Sequence, residues 1–275
     1  MREVAESTTS DLRSNLDPAF GEVQELDRVA EAALYAATVL LEAGVRAKLV
    51  HEDCSRIARA LGAEHVELGS GYASFEITIA RGTSRITRMV EVGALGVNYQ
   101  LSHAMRELAQ RIGRGRNISA EALSEMTRIK RETGRHAPWV VALATGIACA
   151  AFGRLLGMDW SAFIPVLASG AIGQSVRHSL LRRGANVFVV AACVAFLASG
   201  LAELGAQWAD STTLHVAMIA SVLLLVPGVP VLNAHYDILD GYPTLGTARA
   251  VFVGMILIFM TTGVLIAQML VGLQQ

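Results

Sequence analysis

Ionisable side chains are spread so unevenly along these 275 residues that the two halves of the chain belong in different solvents. Residues 136–275 hold five basic side chains, Arg154, Arg177, Arg182, Arg183 and Arg249, and five acidic ones, Asp159, Glu203, Asp210, Asp237 and Asp240. That leaves 18 of the 23 basic and 19 of the 24 acidic residues in the first 135. Five apolar runs divide the charge-poor half, at about 138–157, 161–181, 186–204, 212–232 and 248–271. Each approaches the roughly 20 residues that a helix needs to cross the hydrocarbon core of a bilayer. In lipid every backbone donor and acceptor must be satisfied internally, which restricts such runs to helices. Residues 136–275 therefore read as an all-α bundle of five transmembrane helices, with the lipid bilayer as their solvent.

The charged half reads as a soluble α+β domain over 25–135, preceded by a polar tail at 1–24 without the apolar core of a signal peptide, which is expected to be disordered. Leu26, Val29, Ala30, Ala33, Leu34, Ala37, Leu40 and Leu41 recur at helical spacing, and Gly44 punctuates them. A second helix, 46–61, puts Val50, Cys54, Ile57 and Leu61 on one face and stops at Gly62. Alternation then predicts three short antiparallel strands at 64–69, 73–80 and 84–92. Helical patterns return at 98–111 and 120–132, with Ser119 placed to cap the latter.

Loop charge gives an orientation. Lys130, Arg131 and Arg135 precede the first run, Arg182 and Arg183 follow the second, and Arg249 follows the fourth. The opposite loops hold Asp159, Glu203 and Asp210. The N-terminus and soluble domain are thus expected in the cytoplasm and the C-terminus outside, in a multi-pass protein of the bacterial inner membrane. Trp139, Trp160 and Trp208 fall at expected span ends. Small residues crowd the second and third spans (Ala168–Ala171 and Gly173, then Ala191, Ala192, Ala195, Ala198, Ser199 and Gly200), which suits close packing within a bundle or against a partner. A net charge of −1 without a basic stripe gives no case for nucleic acid. Cys54, Cys149 and Cys193 have no paired spacing and read as small hydrophobes in a reducing compartment. His51 and Glu52 have Ser at position 55 where a zinc-protease helix needs a second histidine. No phosphate-binding glycine loop or nucleophile elbow is present. No metal and no cofactor is expected.

The fourth run drives into Pro227-Gly228-Val229-Pro230, then Asn233, Asp237, Asp240 and Gly241. Proline removes a backbone donor and frees carbonyls. Broken helix beside polar side chains can line a solute pathway, or it can simply be a helix ending in a solvated loop. Asn233, Asp237 and Asp240 share one helical face and could hold an ammonium group or take a proton; His235 between them reads as solvated. Arg154 sits inside the end of the first span, where it can snorkel to headgroups or attract a carboxylate. Gln174 could line a cavity or bond between helices.

These segments carry a resemblance to the bacterial threonine/serine exporter family, and within it to the larger subunit of the split, two-component form. Leu40-Leu-Glu-Ala-Gly44, Arg56-Ile-Ala-Arg-Ala-Leu-Gly-Ala-Glu64, Val66-Glu67, Thr87-Arg88 and Cys149-Ala-Ala-Phe-Gly-Arg154 with Asp159-Trp160 match its pattern. Most specific is Leu224-Leu-Val-Pro-Gly-Val-Pro-Val-Leu-Asn233, followed by Asp237, Gly241, Gly246 and Arg249. Tyr242-Pro243 departs from the pattern and should stiffen the turn before the last span. The resemblance covers residues from about 26 to 270. It implies proton-driven export of small hydroxy amino acids such as threonine and serine, or of dicarboxylates such as succinate. It also implies a partner, a small YjjB-like membrane subunit. The pathway residues expected on this reading are Arg154, Gln174, Pro227, Gly228, Pro230, Asn233, Asp237, Gly241 and Arg249. Asp237 would be the proton-linked or ammonium-binding carboxylate, and Arg154 or Arg249 the carboxylate-binding cation. Two other classes stay open: a membrane sensor, and a membrane-anchored hydrolase using His51, His65 and Glu67.

Overall fold

A computed structural model describes residues 2–115, 119–134 and 136–272, with side chains described over 21–115, 121–134 and 136–271. The tail expected at 1–24 falls largely where side chains are not described. The chain divides into two compact units, one formed by 1–134 with 229–250, the other by 135–228 with 251–275.

The first unit is built around α1 (Arg2–Glu42), whose eight apolar positions named above are all buried. Ala32, Ala36 and Val39 are buried too, so this stretch of α1 is enclosed on more than one side. Gly44 turns the chain into α2 (Ala47–Ala60) with φ +84°, a left-handed conformation natural to glycine. A Cβ there would also collide with the Gly96 carbonyl. Val50, Cys54 and Ile57 of α2 face the core, as their spacing predicts.

Three strands follow, β1 (His65–Ser70), β2 (Ser74–Arg81) and β3 (Ser84–Glu91), in the antiparallel order β1-β2-β3. They lie within a residue or so of the positions that alternation predicts. The core face of β2 carries Phe75, Ile77 and Ile79, all fully buried. On the other face Glu67 pairs with Arg85 at 2.7 Å, and Thr78 bonds Thr87 at 2.8 Å.

The helices α3 (Tyr99–Gly113) and α4 (Ser119–Glu132) close the core with Met105, Leu108, Ile112, Ala122 and Met126. Asn98 caps α3 by accepting from the Leu101 N–H. A charged clamp joins α2 to α3. Asp53, fully buried, accepts from Arg106 at 2.8 Å and pairs with Arg56.

The second unit packs α5 (Pro138–Leu155), α6 (Phe163–Arg182), α7 (Val187–Trp208) and α8 (Leu214–Val222). Its contacts run through small side chains. A Cβ on Gly146 would strike the Leu167 carbonyl, and one on Gly173 would sit 3.3 Å from Ala198. Such surfaces let helix backbones approach closely where hydrophobic collapse gives little drive. Trp139, Trp160 and Trp208 are all widely exposed.

A single 3₁₀ turn, Leu223–Leu225, ends α8, and α9 (Gly228–Leu239) and α10 (Pro243–Gly272) follow. Among the described residues α5, α7 and α10 are long and apolar enough to cross a membrane, and a fourth crossing is available if Leu214–Leu225 and Gly228–Leu239 form one broken span. The sequence alone suggests five. The difference lies in α6, whose C-terminal half carries Gln174, Arg177, His178 and Arg182.

Candidate functional site

The Pro-Gly-Val-Pro segment starts a helix as well as ending one. Pro230 occupies the first turn of α9, where a backbone N–H has no intrahelical acceptor to lose. From there Asn233, Asp237 and Asp240 project along one face, as their spacing of four and three predicts. Gly241, at φ +90°, ends α9, and the Tyr242 N–H bonds the Asp237 carbonyl at 2.7 Å. Pro243 then opens α10, where a fixed φ and a missing donor cost least. Close approach of α9 and the start of α10 depends on Gly246, whose Cβ would lie 2.8 Å from the Ala234 carbonyl oxygen.

This polar face meets the turn between α1 and α2. The Asn233 side-chain amide donates to the Gly44 carbonyl at 2.7 Å. Asp237, fully buried, accepts the Ala47 N–H at 2.8 Å through Oδ1, satisfying an open amide at the start of α2. Its Oδ2 pairs with Nη1 of Arg249, itself only 3% exposed. Arg249 Nη2 also donates to the Val45 carbonyl at 3.4 Å. Nearer solvent, Asp240 pairs with Arg46 at 3.5 Å and Lys48 at 3.4 Å, while the Arg46 guanidinium lies 5.2 Å from the Tyr236 ring centroid. The polar face of α9 is thus engaged, while Val231, Leu232, Ile238 and Leu239 are exposed.

His51 sits beside this cluster on α2. Its ring is 4.6 Å from that of Tyr242 and 5.3 Å from that of Phe75, and its Nε2 is buried without a hydrogen-bond partner. Burial pushes its pKa below the ordinary value. Burial also raises the Tyr242 phenol, assisted by the charges of Asp240 and Glu52.

Asn233, Asp237, Gly241 and Arg249 are therefore brought together, in the unit that contains the N-terminal domain. Arg154 and Gln174 lie in the other unit. Arg154 stacks over the Trp160 ring at 4.4 Å, and Gln174 is part-buried on α6. In the same unit Asp159 accepts from the Ala162 and Thr212 amides at 3.0 and 2.8 Å and from the hydroxyls of Ser161 and Ser211, tying two loops together. Desolvation works to raise the Asp159 carboxyl, but these donors together outweigh it and hold it below the usual carboxylate range. The hydrolase candidates are split. His65 and Glu67 line a shallow cavity of about 270 Å³ with Thr78, Ala80 and Arg85, and His51 is not among its walls.

Sequence reasoning missed the capping role of Asp237 and the Asp53 clamp. A cap is signalled by residues just before a helix, and Asp237 is 190 positions from Ala47. Asp53 sits on the buried face of α2, three residues from Arg56, and that spacing was its one local signal.

No solved structure matches this chain. Residues 31–271 match the family described as "Putative threonine/serine exporter". A protein of Klebsiella aerogenes named "Probable succinate transporter subunit YjjP" is 27% identical over 253 residues, covering 90% of this chain and 95% of that protein. Its namesake in Escherichia coli strain K12 is 28% identical over 237 residues, covering 86% of this chain and 91% of that protein. With the family pattern running through both units, from α1 into the last turns of α10, the chain belongs to the threonine/serine exporter family.

Proposed function

We propose that this protein is the larger membrane subunit of a secondary exporter of small polar metabolites, with threonine and serine as the leading substrates and proton coupling as the driving force. A small YjjB-like membrane subunit completes the complex. The bundle makes five crossings of the inner membrane, with α6 and the broken α8–α9 pair counted, and the N-terminal domain lies in the cytoplasm. Succinate or a similar dicarboxylate is the second substrate reading, favoured by the name of the relatives that align over nearly their whole length.

One observation carries the mechanism. The helix break leads into a segment whose polar face is held by the turn between α1 and α2, through Asn233, Asp237 and Arg249. In this reading the contacts are a latch on the cytoplasmic end of the pathway. Release of the Asp237–Arg249 pair frees an anion and a cation together, suited to the two charged ends of an amino acid. Arg154, Gln174, Pro227, Gly228, Pro230 and Gly241 supply the rest of the pathway and its hinge.

The test is export of labelled threonine, serine and succinate from cells carrying this chain and its partner. Export of an amino acid above the level of cells lacking the chain supports the leading reading. Export of succinate alone moves the assignment to dicarboxylates, and export of none overturns both.

A further inference from the structure

Glu203, grouped with the outer-loop acids by its charge although it falls at the end of the third apolar run, lies inside a helix. α7 continues through Trp208, so Glu203 is five residues, or about 7.5 Å along the axis, short of its end. Trp208 is 89% exposed, as an interfacial side chain should be. An ionisable group at that depth is costly to keep without a partner or a function.

One oxygen of Glu203, the buried Oε2, accepts no hydrogen bond among the described residues. Gln207, one turn further along the same face, has a buried Nε2 that donates none. An acceptor and a donor thus stand unsatisfied side by side in a helix whose other polar side chain, Ser199, bonds its own backbone at 2.7 Å. Glu203 as a whole is part-buried, and leaving one of its oxygens buried without a donor disfavours the ionised form, a cost that protonation relieves.

The elements packed against α7 bring a titratable neighbour. His215, on the first turn of α8, acts on Glu203 electrostatically. The N-terminal half of α6, from Phe163 to Gly173, has no ionisable side chain, and neither has α10 from Val251 to Gly272. Asp210 follows α7 beyond Trp208.

Resting on the exporter reading, we infer that Glu203 is the proton-binding site that couples transport, with Gln207 and His215 setting its environment. The proton arrives from the aqueous phase at the Trp208 end and adds to the Glu203 carboxylate, giving the neutral acid. Deprotonation restores the anion. No other bond forms or breaks. Both oxygens of Asp237, by contrast, are engaged, one by Arg249 and one by the Ala47 amide.

Infrared difference spectroscopy on the full chain in lipid nanodiscs tests this without requiring transport. The expected result is a carboxylic-acid carbonyl band that appears as pH is lowered. It disappears in Glu203→Gln, shifts in Glu203→Asp, and titrates at a different pH in His215→Ala. A spectrum unchanged by Glu203→Gln overturns the inference. If Glu203→Gln does not fold, the Glu203→Asp and His215→Ala shifts decide the question alone. A second arm uses the complex in vesicles with an internal pH dye and labelled threonine or succinate. There Glu203→Gln should lose accumulation driven by a pH gradient. Coupled accumulation that persists in Glu203→Gln overturns the inference. Vesicles that transport neither substrate count against the exporter reading instead, and the infrared arm still decides whether Glu203 takes the proton.

Discussion

Asp237 and Arg249, twelve residues apart, close a buried ion pair between α9 and the beginning of α10, and the same carboxylate accepts the Ala47 amide at the start of α2. Removing one member leaves the other charged and buried, at a cost of about 3–5 kcal/mol in comparable pairs. Asp237→Asn and Arg249→Gln are each expected to speed amide exchange in the peptide spanning residues 44–50. The double variant should cost less than the sum of the two, since the partners are removed together. Hydrogen-exchange mass spectrometry on the full chain reads both results, and strict additivity would count against the pair.

His51 predicts a pH dependence. Its folded pKa lies below the ordinary value of 6.5 because burial disfavours the cation. Below that value the unfolded chain therefore binds more protons than the folded one. The contribution of His51 is complete above about pH 6.5 and is lost as pH falls beneath it. His51→Phe keeps an aromatic ring against Tyr242 and Phe75 and should flatten the acid side of the stability profile. Equal slopes for variant and parent between pH 7 and 5 would refute this.

Cys54 should behave as an inert thiol. Burial, reinforced by the charge of Asp53, pushes it up to about 12, and its Sγ donates to the Ala33 carbonyl at 3.4 Å. Mapping by mass spectrometry after maleimide treatment of the folded protein at pH 8 should find Cys54 unmodified, with labelling only after denaturation.

Gly246 sets the spacing of the α9–α10 hairpin. A side chain there meets Ile238 Cγ1 at 2.6 Å and the Ala234 carbonyl oxygen at 2.8 Å. Gly246→Val should cost about 1–3 kcal/mol through overpacking and loosen the Asp237–Arg249 pair. Faster exchange at Ala47 than in the parent is the expected signature.

What could be read from the sequence was what repeats locally. The stripe from Leu26 to Leu41 places α1 in the core, and the alternation through Phe75, Ile77 and Ile79 places β2 with its buried face correct. The shared face of Asn233, Asp237 and Asp240 also follows from spacing. The object that this face meets does not, because hydrogen bonds from α9 to Gly44 and Ala47 join positions about 190 apart that have no common pattern. Membrane helix ends were harder still. Glu203 looks like a boundary by charge, yet helical hydrogen bonding carries α7 on to Trp208.

The most direct measurement is export of labelled threonine, serine and succinate by the complete complex, comparing the parent, Asp237→Asn, and the exchanged pair Asp237→Arg with Arg249→Asp. The account predicts export of at least one substrate by the parent. It predicts a loss of about tenfold, equivalent to roughly 1.4 kcal/mol, in Asp237→Asn, with partial recovery in the exchanged pair at equal protein abundance. No export by the parent, or undiminished export by Asp237→Asn, would contradict it.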